Sequence, residues 1–152
     1  MKISALIYRT VSAENSFLQA AKKAAENFST DQSWPVGAVL VRRNVVIVSA
    51  GNRVKISPWW QRIHKKICIR KWFRIPSGRF YWLCPGCSSP AHHPEQQIVR
   101  YISDKKINPD ECEIFLWGHY KCCLSCEKKL LEAGIKKITI VEDAGRIFSR
   151  KE

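Results

Sequence analysis

The sequence predicts an α/β fold, a mixed β-sheet with helices on both faces, carrying one basic and aromatic insertion. Three observations predict it. An amphipathic segment near the start is followed by two closely spaced β-branched runs, the pattern of a helix and then a hairpin. Towards the end an apolar run, a helical segment and a second apolar run follow in order. A right-handed crossover makes such a series a parallel strand pair. Between these halves, at about residues 53–92, proline and glycine interrupt every long element. The 152 residues are long enough for one core, so residues 1–152 are expected to form a single domain with the insertion on it.

The elements follow from residue type and spacing. Residues 12–28 read as the amphipathic helix, with Ser12 as N-cap, Glu14 in the first turn, and Phe17, Ala21, Ala24 and Phe28 at helical spacing. Val36 to Val41 and Val45 to Val48, separated by Arg42-Arg43-Asn44, read as a buried hairpin. The segment 53–92 is too short for an independent core without a metal or another staple. Pro94 suits a first helical turn, and apolar residues at 98, 99, 101 and 102 continue a helix over 97–102. Ile114 to Trp117 is a short buried strand. Cys123 to Ala133 is a second helix, closed by Gly134, and Lys137 to Val141 is another strand. A short edge strand is expected over 146–150.

Composition narrows the function. No apolar run approaches the length of a membrane span and no signal peptide is evident, so the expectation is a soluble, cytoplasmic protein with no membrane partner. Seven cysteines, two pairs of them in C-x-x-C spacing, point in a reducing compartment to metal before disulfides. The net charge of +13 is concentrated: no acidic residue lies between Asp31 and Glu95, a stretch that holds eleven Lys and Arg. Such a block implies an anionic partner, whether a nucleotide phosphate, a polynucleotide or an acidic surface, or else a solvated basic face.

His93-Pro94-Glu95 and, thirty positions on, Cys123-Leu124-Ser125-Cys126 carry the chemistry. One imidazole and two thiolates make a three-ligand zinc site with an open position, the arrangement of a catalytic zinc. Cys123 and Cys126 share a helix face, and helix N-termini favour thiolates. Glu95, two residues from His93, is placed to move protons without ligating. A second set, His64, Cys68, Cys84 and Cys87, offers a closed structural zinc site, with His92 as an alternative to His64. Free thiols in an aromatic subcore would also explain these residues. Cys112 reads as an ordinary buried cysteine.

The H-x-E and C-x-x-C pair, in this order, resembles the zinc-dependent nucleobase deaminases, and the chain is most similar to the deoxycytidylate deaminases. The resemblance runs over about residues 12–142 outside the insertion. It includes Pro35 to Val39, Ala50-Gly51-Asn52 and Glu132 to Lys137. It implies a three-layer α/β/α cytidine-deaminase-like fold. Zinc would be held by His93, Cys123 and Cys126. Glu95 would take a proton from the attacking water and deliver it to N3 of cytosine, then help ammonia leave. Asn52 matches a sugar-holding asparagine, though a turn residue is the other reading. The backbone of Gly37 and Ala38 matches the wall that meets the base. Some deoxycytidylate deaminases are similar in carrying a second zinc. The chain departs from the pattern at Pro94, usually alanine, and at Cys122, usually proline. His119, in the loop beside the base, would contact substrate or cap the strand end.

Two substrate classes remain. A mononucleotide enzyme acting on deoxycytidine monophosphate would hold the 5′-phosphate with Arg53 and Lys55. A polynucleotide deaminase, acting on cytosine or adenine in single-stranded DNA or RNA, would use the basic residues interleaved with Trp59, Trp60, Trp72, Phe73, Tyr81 and Trp82. Those aromatics would otherwise pack the insertion or bury a subunit interface, and the resemblance implies a homo-oligomer. A non-catalytic nucleic-acid-binding module is the reading from another class, and the intact Glu95 stands against it.

Overall fold

A computed structural model describes residues 5–76 and 79–148 of the chain. Five strands form one sheet in the order β1-β5-β4-β2-β3. They are β1 (Ile7–Val11), β2 (Gly37–Arg42), β3 (Val45–Gly51), β4 (Cys112–Trp117) and β5 (Lys137–Val141). The β1, β5 and β4 strands run parallel, while β2 pairs antiparallel with both β4 and β3. The expected mixed sheet with its hairpin and parallel pair is therefore present. A first helix α1 (Ser16–Phe28) lies against β2, β3 and β4, and α4 (Pro94–Lys105) against β2 and β3 with α5 (Leu124–Glu132) beside it. Residues Gly37 to Val41 of β2 are all buried, as a strand covered on both faces must be. The α/β/α layering holds.

Glycine sets how closely α1 approaches the sheet. Gly37 and Gly51 are register partners on β2 and β3. A Cβ on Gly37 would fall into the backbone of Ala21 and Ala25, and one on Gly51 against that of Phe28 and Ser29. Leu18, Ala21, Ala24 and Ala25 form the buried stripe of the helix, and Phe17 meets the Phe115 ring of β4 at 5.2 Å.

Four sequence expectations are corrected. The leading helix starts at Ser16, not at residue 12. Its cap is Asn15, whose Oδ1 accepts from the backbone N–H of Phe17 and Leu18 at 3.1 and 3.2 Å. Ser12 and Glu14 lie in the preceding turn, which the chain needs to leave β1, a strand the sequence reading did not anticipate. The hairpin is buried only on its inner strand, because β3 is a sheet edge with Val45 59% exposed. The segment expected as an edge strand over 146–150 instead contributes to α6 (Ala144–Phe148), and residues 149 and 150 lie outside the described residues. The edge beside β5 is already taken by β1, and Phe148 packs its ring on Trp117.

The insertion leaves and rejoins the fold at one point. The Arg53 backbone N–H donates to His92 O at 3.0 Å, and Ser88 Oγ donates to Arg53 O at 2.7 Å. Between these ends lie α2 (Pro58–Lys66), α3 (Ile69–Trp72) and short 3₁₀ turns. Cys68, Cys84 and Cys87 form a buried cluster of their own, separate from the main core, with Tyr81 against it. Among the described residues no helix is long and apolar enough to cross a membrane.

Candidate active site

Two helix starts meet to form the first cluster. His93 is the N-cap of α4 and Pro94 its first residue, where a missing N–H is harmless. Cys123 is the N-cap of α5 and Cys126 lies one turn in. His93 Nδ1 stands 3.6 Å from Cys123 Sγ and 3.5 Å from Cys126 Sγ. A tetrahedral zinc, with bonds of about 2.3 Å to sulfur and about 2.0 Å to nitrogen, holds sulfur and nitrogen ligands about 3.5 Å apart. The spacing fits zinc. The tautomer fits as well: Nε2–H of His93 donates to Ser88 O at 3.2 Å, which leaves the Nδ1 lone pair facing the sulfurs.

Electrostatics agree with thiolate chemistry. Cys123 is lowered to about 4 by the hydrogen bond from the Cys126 thiol, against the opposing effect of burial, with His93 adding to it. Cys126, the donor, is pushed up by the same bond and by burial. For His93, burial lowers the pKa, but the bond to Cys123 and the charges of Glu95 and Cys123 outweigh it and the net shift is upward. Cys122 is not a member of the cluster. Burial and the Glu95 charge hold its thiol well above the ordinary value.

Glu95 completes the site. It is only 3% exposed, it lines the same pocket as His93 and Cys123, and its Oε2 has no hydrogen-bond partner among the described residues. An orphaned carboxylate oxygen at such burial is costly unless a ligand supplies the donor.

The remaining pocket wall is drawn from distant parts of the chain. Asn52, Val36, Trp34 and Asp31 come from the hairpin side, Arg70, Tyr81, Cys87 and Ser88 from the insertion, and His119 and Lys121 from the loop after β4. Asn52 is 3% exposed: its Oδ1 accepts from Ser29 Oγ at 2.5 Å and Val36 N at 2.9 Å, and its Nδ2 donates to Trp34 O at 2.8 Å. His119 stacks on Tyr120 at 5.7 Å and is lowered by burial. Gly37 and Ala38 are buried within β2, and the neighbouring Val36 is the wall residue. Arg53 is exposed, and neither it nor Lys55 lines the pocket.

Residues the sequence reading missed are Asp31, Trp34, Arg70 and Ser88. Asp31 accepts from Ser33 N and Trp34 N at 3.0 and 3.1 Å and is raised by burial. Arg70 is 1% exposed, its guanidinium 4.0 Å from the centre of the Tyr81 ring. No motif announced these four. The one signal was their place in a loop and in a basic, aromatic segment.

The second cluster gathers His64, Cys68, Cys84 and Cys87, all buried, with ligand atoms within 4.8 Å of one another. Cys68 Sγ and Cys87 Sγ are 3.7 Å apart, and Cys87 Sγ is 3.5 Å from His64 Nε2. Tetrahedral zinc predicts about 3.8 and about 3.5 Å. His64 Nδ1 meets Ser33 Oγ at 3.3 Å, so its ring is anchored as that of His93 is. Gly86 lies so near the His64 ring that a Cβ there would collide with it. Burial pushes Cys87 up to about 12. Cys84 moves down: burial opposes, but backbone N–H groups of Gly86 and Ile69 prevail. His92, the alternative ligand, is not in this group and bonds Ser89 Oγ at 2.6 Å. Cys112 is buried in the main core, as expected.

Comparison with known proteins agrees with this geometry. No curated protein matches the chain. Among solved structures, the dCMP deaminase from the cyanophage S-TIM5 in apo form shares 19% identity over 87% of this chain and 86% of that one, with a TM-score of 0.52. The same enzyme in complex with dCMP and dUMP shares 19% over 86% and 84%, with a TM-score of 0.51. That likeness is one of fold. The model of the cytidine and deoxycytidylate deaminase zinc-binding region matches residues 11–142, which takes in both metal motifs and Glu95. The chain belongs to the zinc-binding family of cytidine and deoxycytidylate deaminases.

Proposed function

We propose that this protein, as one catalytic domain, hydrolytically deaminates a cytosine nucleotide, with deoxycytidine monophosphate as its simplest substrate, giving the uracil form and ammonia. His93, Cys123 and Cys126 hold the catalytic zinc. The observation that carries this reading is the buried, unpartnered Oε2 of Glu95 in the pocket beside that three-donor cluster. Zinc, when bound, supplies Lewis-acid activation that makes water a nucleophile near neutral pH.

Glu95 does the proton work. Its carboxylate takes a proton from the attacking water and delivers it to N3 of the base. A second proton, from the new C4 hydroxyl, passes through Glu95 to the amine, which leaves as ammonia. The net change is water and cytosine to uracil and ammonia. Asn52 presents its second amide hydrogen to the nucleotide, since only one of the two is used among the described residues. Lys121, exposed at the pocket wall, answers the phosphate in place of Arg53. The cyanophage enzyme described in complex with dCMP and dUMP supports the choice of substrate.

His64, Cys68, Cys84 and Cys87 hold a second, structural zinc that gives the insertion its shape. The four ligands of that site are buried with matched spacing. Seven unpaired cysteines suit a reducing cytoplasm.

Ammonia release measured across nucleosides, monophosphates, triphosphates and short single strands tests the reading. The Glu95→Ala variant should keep its zinc and lose activity by at least about 10²–10⁴-fold. Retained turnover in that variant, or no ammonia from any substrate with the intact chain, would sink it.

A further inference from the structure

We propose that the basic, aromatic insertion is a docking surface for single-stranded nucleic acid that leads into the catalytic pocket. This deepens the deaminase reading and rests on it for the identity of the base. The surface begins at Tyr81. That ring lines the pocket and stands edge-on to the His93 ring at 5.4 Å. Phe80 and Trp82 flank it on the same turn and are 53% and 79% exposed. On the other side the Arg70 guanidinium covers Tyr81, and α3, which carries Arg70, ends in Trp72 and Phe73. These last two rings stack at 6.3 Å and are 77% and 71% exposed. Exposed rings thus continue outward from the wall of the pocket that holds Glu95.

Charge identifies the partner. Arg62, Lys65, Lys66, Lys71, Arg74 and Arg79 are exposed among these rings, and none is ion-paired among the described residues. No acidic residue lies between Asp31 and Glu95 to pair with them. Soluble proteins rarely leave so many large rings in water unless something covers them. A second copy of the chain is a poor occupant, because a two-fold interface would set this basic segment against itself and bring like charges together. A single strand satisfies both features, with phosphates on the cations and bases stacked on the ring faces. A strand crossing from Trp72 to Trp82 passes Tyr81, where one unstacked base can enter the pocket.

The test uses the full chain loaded with zinc and a labelled oligothymidylate of about twenty nucleotides, which binds without being turned over. With four phosphate contacts, affinity measured by fluorescence anisotropy should fall about fifty-fold between about 50 and about 200 mM salt. Combining Trp72→Ala with Trp82→Ala should weaken binding by about tenfold or more, with turnover of deoxycytidine monophosphate unchanged. One cytosine placed in the strand should become uracil. Several results would overturn the proposal. These are no binding at low salt, binding indifferent to the ring substitutions, a bound strand whose cytosine is untouched while the mononucleotide is turned over, or preferential binding to phosphatidylserine vesicles. Self-association lost in the ring variant, with no strand bound, would also overturn it and assign the face to a second copy. Ring-dependent strand binding without ammonia release from any substrate would sink the deaminase reading and support the surface.

Discussion

Replacing Asn52 by aspartate exchanges a single heavy atom, and its effect on stability is set by three hydrogen bonds. Oδ1 accepts from Ser29 Oγ and Val36 N, and Nδ2 donates to Trp34 O. A protonated aspartic acid preserves all three. An ionised one keeps the first two but turns an oxygen towards the Trp34 carbonyl, in a residue only 3% exposed. The folded protein therefore favours the neutral acid, and the folded pKa rises above the unfolded value of about 3.9. The penalty is absent below that value and grows as pH rises towards the folded pKa.

The two retained donors hold the rise to about two units, short of the three to five of a fully desolvated carboxyl. At about 1.4 kcal/mol per unit, the variant loses about 1.5 kcal/mol at pH 5 and about 3 kcal/mol at pH 7. Urea unfolding of both zinc-loaded proteins at the two pH values measures the gap. Metal-linked pH effects common to both chains cancel in the difference. Asn52→Ala is the control, because it strands Val36 N–H and Trp34 C=O equally at every pH. An Asn52→Asp deficit that is the same at pH 5 and pH 7 would refute the reasoning, since it would mean that the carboxylate ionises in the fold without cost. The lost amide hydrogen should also raise KM for deoxycytidine monophosphate.

The second metal cluster yields two more expectations. Mass spectrometry of metal content should give about two zinc ions per chain. Cys84→Ser should leave about one, with limited proteolysis then cutting within 53–92 while the sheet stays protected, because the insertion has little other core. Ser33→Ala removes the partner of His64 Nδ1, so competition with a chelator should show one of the two ions held about 10–100-fold more weakly.

What could be read in the sequence was local. His93 and Glu95 lie two apart at a helix start, and Cys123 and Cys126 one turn apart at another, so a three-donor cluster with a carboxylate beside it was legible from residue type and spacing. Strand β5 has the limits its apolar run indicated, Lys137–Val141. What escaped was set by partners far along the chain. Strand β1 is a sheet edge with Ile7, Arg9 and Thr10 exposed, so its own pattern is weak. Its pairing depends on β5, about 130 residues away. Arg70, Tyr81 and Ser88 reach the pocket only because the insertion folds back over His93, and no periodicity encodes that. The Ser12 cap failed because β1 uses the residues before it. Asn15 is then the first residue able to offer an oxygen to the amides of Phe17 and Leu18.

That unexpected strand explains how the chain tolerates its departure from the family at Cys122. A proline at this place has no N–H, whereas Cys122 has one, in a residue only 4% exposed. Tyr8, on β1, satisfies it: the Cys122 N–H donates to Tyr8 Oη at 3.1 Å. Burial pushes the Tyr8 phenol well above its usual pKa, so it stays neutral and keeps its lone pairs for this bond. The Tyr8→Phe variant should leave that amide unpaired one residue before a zinc ligand, at a cost of about 1–3 kcal/mol. Cys122→Pro alone should also be damaging, because the ring would press its Cδ against Oη. Combined, the two changes remove both the orphan donor and the obstacle. The double variant should therefore be more stable than the sum of the single losses by about 1–3 kcal/mol in an unfolding cycle. Additive losses would show that Tyr8 is not what holds the cysteine loop, and that the proline position is free to vary for another reason.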